Sequence, residues 1–132
     1  MDVQWLITGF AIATGLTFYS IRKYTKQKVA EIKKEQQERL SYMADELSKD
    51  SPDSIKKELD ILSNRLMVGD FEGIRAGWKE KEIFYKKELG SQEIENLKKK
   101  ARHLYKDEDL YSSYLQILIH KARKEKEKAV QF

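Results

Sequence analysis

Apolar residues are bunched at the front of this chain and thinly, periodically spread through the rest. Val3 to Ile21 reads V-Q-W-L-I-T-G-F-A-I-A-T-G-L-T-F-Y-S-I, 19 residues without a charge, and Arg22, Lys23, Lys26 and Lys28 follow at once. At about 1.5 Å per residue such a helix spans roughly 28 Å, close to the hydrocarbon core of a bilayer. The pattern predicts a transmembrane helix over residues 3–21. A cleaved signal peptide fits less well, because the only charge ahead of the run is Asp2 and the Ala11-Ile12-Ala13 motif lies mid-run. A buried core helix fits less well too, since no matching apolar surface follows to cover a helix that is apolar on all sides.

From Arg22 to Leu47 there is no Gly or Pro, and Val29, Ile32, Gln36, Leu40, Met43 and Leu47 recur at intervals of three and four. The spacing predicts a helical stalk over residues 22–48 with a narrow apolar seam, nearly straight along the helix. That seam suits either a parallel coiled coil between two copies or packing against the chain's own C-terminal part. Ser48 to Ser54 (S-K-D-S-P-D-S) is the clearest boundary, with Ser51 as an N-cap and Pro52 as the first helical residue.

The all-α cytoplasmic domain is expected over residues 49–132, built from about four short helices. The first carries Ile55, Leu59, Leu62 and Leu66 and stops at Gly69. The second carries Phe71, Ile74, Trp78, Tyr85 and Leu89 up to Gly90, with Gly73 and Gly77 weakening its first turns. Ser91 caps a third with Ile94, Leu97, Ala101 and Leu104. Asp107 or Asp109 opens the last, where Leu110, Tyr114, Leu118 and Ala122 form a broad apolar face. No convincing period-two strand pattern interrupts this series.

Charge orients the chain. Lys and Arg are retained on the cytoplasmic side, so the four bases after Ile21 place the N-terminus outside and the remainder in the cytoplasm. Net charge is +2 over residues 22–48, zero over 49–90 and +3 over 91–132. With no Cys, disulfides, thiolate catalysis and Cys-based zinc sites are excluded. His103 and His120, the only histidines, stand in no metal-ligand spacing and read as solvated or dipole-stabilising. Asp107-Glu108-Asp109 suits a helix start better than a cation site. No cofactor is implied, and the chain reads as a binding protein and not as an enzyme.

Two features could bind partners. Small residues Gly9, Ala13 and Thr17 lie four apart on one face of the span, a spacing that lets helices approach in lipid. With Val29, Ile32, Leu40, Met43 and Leu47 they are candidates for self-association as a dimer. The second feature is basic: Lys98, Lys99, Lys100, Arg102 and Lys106, then Lys121, Arg123, Lys124, Lys126 and Lys128. These could contact nucleic-acid phosphates, attract anionic membrane lipid, or simply form a solvated face alongside Glu125 and Glu127.

In layout (one N-terminal span, a short helical stalk and a small basic helical domain) the chain resembles the membrane-anchored replication organisers of some bacteriophages. That resemblance implies tethering of DNA and carries no individual residue with it. The sequence therefore supports first a membrane-anchored adaptor or scaffold for an unidentified protein partner. Next comes a membrane-tethered, sequence-independent nucleic-acid binder, and more weakly a small membrane-perturbing factor.

Overall fold

A computed structural model describes the backbone of residues 3–130 and the side chains of residues 26–129. The chain is all-helical: α1 Val3–Lys49, α2 Asp53–Val68, α3 Phe71–Leu89, α4 Ser91–Leu104 and α5 Glu108–Val130, with no strand among the described residues. Among the described residues no helix is long and apolar enough to cross a membrane. The expected span and its small residues Gly9, Ala13 and Thr17 lie outside the residues whose side chains are described.

Contacts divide the chain into residues 1–34 and a compact unit of residues 35–132. The sequence expectation draws the line at residue 49 instead. The difference arises because the last turns of α1 carry small and apolar residues on one face: Leu40, Ser41, Ala44 and Ser48 are buried. The Ser41 hydroxyl donates to the Ser63 carbonyl and the Ser63 hydroxyl to the Ser41 carbonyl, both at 3.0 Å. Gln37 Nε2 donates to the Leu66 carbonyl at 2.6 Å. Small side chains let α1 and α2 approach closely enough for these reciprocal bonds, which satisfy hydroxyls that burial would otherwise strand.

The connections are short and chemically specified. Gly69 adopts a left-handed conformation (φ 74°) and donates to the Leu66 carbonyl, while the Asp70 N–H donates to the Arg65 carbonyl. This pair of bonds closes α2 as a Schellman motif. Asp70 then caps α3, its Oδ1 accepting from Gly73 N at 3.0 Å. Gly90 (φ 91°) alone joins α3 to α4, so Ser91 is the first residue of α4 and not its cap. Asp107 Oδ1 accepts from the N–H groups of Asp109 and Leu110, opening α5 as expected. Between α1 and α2 the residue roles shift by one. Pro52 is the N-cap, and the Ser51 hydroxyl donates backwards to the Leu47 carbonyl at 2.6 Å, serving the end of α1.

At the centre lies α5, in contact with α2, α3 and α4. Every residue from Ser112 to His120 is buried, so this middle stretch of α5 is enclosed on all sides and not on one face alone, while Lys121 and residues 125–129 are exposed. Leu115, Ile117, Leu118 and Ile119 join Leu59, Leu66, Ile74 and Ile94 in a single core that also takes in Leu40 and Ala44. Gln116 is accommodated there because its Nε2 donates to the Ile74 carbonyl at 2.8 Å.

Candidate functional site

The ten cations singled out from the sequence do not form one face. Arg123 is 7% exposed and paired with Glu58 and, at 3.1 Å, with Glu88. Lys98 lies within 3.5 Å of both Glu82 and Glu95 and over the Trp78 ring. Arg102 pairs with Glu108 at 2.8 Å and stacks on Tyr111 at 3.7 Å. Lys126 donates to the Glu88 carbonyl. Lys99, Lys100, Lys106, Lys121, Lys124 and Lys128 have no ion pair among the described residues, and all but the half-buried Lys124 are exposed. The seam candidates divide as well. Val29, Ile32 and Met43 are exposed, whereas Leu40 is wholly buried within its own chain and Leu47 packs on the same core.

His120 departs from the solvated role expected of it. It is 2% exposed and sits on α5 between α2 and α3, with Nδ1 3.2 Å from Arg123 Nη1 and 3.6 Å from Glu58 Oε2. Since the guanidinium can only donate, Nδ1 accepts and the neutral ring carries its proton on Nε2. The Tyr85 ring meets the imidazole edge-on at 5.7 Å. Around this pair, Lys81 reaches Glu58 at 2.8 Å. An ionic cluster with Arg123 and His120 buried and its carboxylates half-buried therefore ties α5 to α2 and α3. The sequence holds no signal for it beyond the bare presence of the charges, because its partners lie 35 and 65 positions apart.

Burial pushes the His120 imidazolium down to about 4; Glu58 offsets this in part, while Arg123 and Lys81 reinforce it. Burial alone would raise Glu58, but the Lys81 hydrogen bond and the Arg123 charge outweigh it and hold that carboxyl below its ordinary range. Both shifts make the unfolded chain bind more protons than the folded one in acid. Stability should thus be full above the unfolded histidine value near 6.5 and fall as pH drops toward 4, by about 3 kcal/mol in total from His120. Urea unfolding at pH 7.5 and 5 is expected to differ by about 2 kcal/mol, and His120→Gln should remove most of that difference. An unchanged pH slope in the variant would assign the acid sensitivity to other groups.

Beside the cluster, a cleft of about 310 Å³ opens between α2 and α3, with Gln116 and His120 of α5 at its lining. Its α3 wall opens with the small residues Gly73, Ala76 and Gly77 and continues through Glu80, Lys81 and Tyr85. Arg65 crosses to this wall from α2, donating from Nη1 to the Gly73 carbonyl at 3.1 Å, and a Cβ at position 77 would lie 3.2 Å from that nitrogen. Of the two glycines that weaken the start of α3, Gly77 thus makes room for the arginine side chain, whereas a Cβ at Gly73 would run into the capping carboxylate of Asp70. No group of His, Asp and Glu able to hold a metal ion occurs among the described residues. Comparison with protein families, curated proteins and solved structures gave no match.

Proposed function

We propose that this is a single-pass membrane protein whose helical unit lies in the cytoplasm and acts by binding, as a self-associating anchored adaptor or scaffold. The observation that carries the proposal is the charge-free run from Val3 to Ile21 with four bases directly behind it. Support comes from α1, whose helical backbone runs through position 21 without a break. Self-association then falls to Gly9, Ala13 and Thr17 in the span and to the exposed Val29, Ile32 and Met43, because Leu40 and Leu47 serve the chain's own core. The tethered nucleic-acid reading has fewer free cations to draw on than the sequence suggests, since Arg123, Lys98 and Arg102 are already held by carboxylates.

The full chain should stay in the membrane pellet after alkaline extraction, and a reporter active only outside the membrane should be silent when fused after Phe132. Release by alkali, or an active reporter, overturns the anchoring or the orientation. In detergent, the chain should not bind duplex DNA at low salt. Binding would instead favour the nucleic-acid reading, and neutralising Lys99, Lys100 and Lys106 would then lower the salt slope by about 0.9 for each phosphate left without its cation.

A further inference from the structure

The cleft between α2 and α3 has polar groups that the fold itself leaves unused. Tyr85 is 3% exposed, yet its hydroxyl makes no hydrogen bond among the described residues. His120 spends Nδ1 on Arg123, and its Nε2–H has no acceptor there. Gln116 donates to the Ile74 carbonyl, while its side-chain oxygen accepts nothing. All three side chains line the same cleft. Buried polar groups in a packed interior are almost always paired. No side-chain nitrogen or oxygen fully shut off from solvent is unpaired among the described residues, so the unused atoms are ones that solvent still reaches.

The charges at the mouth narrow the chemistry. Lys81 and Glu58 neutralise each other at 2.8 Å. Arg65 bonds only to the Gly73 carbonyl and has no carboxylate partner, and Glu80 has no cation partner, among the described residues. Gly77 and Glu80 follow one another along one face of α3, so Arg65, its guanidinium lying against Gly77 and bonded to the Gly73 carbonyl, is about one turn from Glu80. A simple anion would gain Arg65 and meet repulsion from Glu80, and a simple cation the reverse. A molecule carrying both charges satisfies both. Ile61 and Leu62 add an apolar wall, and a volume of about 310 Å³ stands at the small end of ligand sites.

We propose that this cleft binds a small zwitterion of amino-acid size with an apolar side chain, its carboxylate on Arg65 and its ammonium on Glu80. The site goes beyond the anchoring reading and does not depend on it. The test is amide NMR of the full chain in detergent micelles, titrated with leucine, with isocaproate (carboxylate only) and with isoamylamine (ammonium only). Leucine should shift the Gly73, Gly77 and His120 amides saturably, with Kd about 1 mM or tighter. Each half-molecule should bind at least about tenfold more weakly, and Arg65→Met and Glu80→Gln should each weaken leucine by about tenfold. Glu80→Gln touches an exposed residue with no internal partner, so its fold is secure even where Arg65→Met disturbs the α2–α3 contact. No shift with leucine up to about 20 mM, equal binding of isocaproate, or an unaffected Glu80→Gln variant overturns the proposal.

Discussion

Replacing Leu40 with Asp is expected to unfold the compact unit, whatever the protein concentration. Leu40 is 0% exposed and belongs to the same core as Leu59, Leu66 and Ile119. Truncating a buried leucine to alanine costs about 2–5 kcal/mol through the transfer energy forgone and the cavity left behind. A carboxylate there adds the cost of an unpaired charge, or of the protonation that avoids it. The sum, about 5 kcal/mol or more, is comparable to the whole stability of a small domain. Near-UV circular dichroism in urea should report the same destabilisation at high and low protein concentration. Val29→Asp and Ile32→Asp change exposed positions and should leave the unfolding midpoint in place. Those two are the variants expected to weaken a dimer. A Leu40→Asp chain that kept its fold and gave up only its self-association would return Leu40 to an intermolecular seam.

Arg123→Met should be the next most damaging change. This one guanidinium joins α5 to Glu58 on α2 and Glu88 on α3, and lies 5.3 Å from the Tyr85 ring centre and 5.6 Å from that of Phe84. Without it two carboxylates face each other with only Lys81 in reach of Glu58. Breaking a buried pair by removing one partner costs about 3–5 kcal/mol. The lower end applies here because Glu58 and Glu88 both keep some contact with water. For a unit of roughly 100 residues, about 3 kcal/mol lowers Tm by roughly 15 °C. Arg123→Lys should recover less than half, since an ammonium cannot fork across two carboxylates. Adding Glu88→Gln to Arg123→Met should recover part of the deficit if the two are coupled through this cluster. A Tm within a few degrees of the parent would mean that the cluster adds little to stability.

Much of the helical layout is legible in the order of residues. The spacing of Ile55, Leu59, Leu62 and Leu66 marks one apolar face, and all four are buried. Gly69 stands where the apolar period stops and takes the left-handed conformation that only a glycine adopts without strain. These features depend on neighbours within one or two turns, which a sequence displays directly. Ser51 and Ser91 depart from their expected capping roles for the complementary reason. A serine hydroxyl can serve the end of one helix or the start of the next, and local sequence does not say which. The stripe of Leu40 and Leu47 is likewise visible as apolar, but the same spacing serves a neighbouring copy and a neighbouring helix equally well. The candidate cleft is the least legible part, because Arg65, Tyr85, Gln116 and His120 come from three helices and none of their spacings forms a motif.

What the sequence determined by itself was the local layer: an all-helical chain, the places where its described helices end, and which stretches are apolar enough to need covering. It did so because hydrophobic periodicity and capping chemistry act over a few residues. The tertiary structure alone decided which partner covers each stretch. It turned the end of α1 into part of the core and enclosed the middle of α5 on every side. It moved Arg123 from an apparent basic surface, and His120 from an expected solvated or dipole-stabilising place, into buried positions beside Glu58 and Glu88. The physical reason is that burial and ion pairing are properties of packed surroundings, and a charged residue carries no mark in the sequence of the distant carboxylate that will neutralise it.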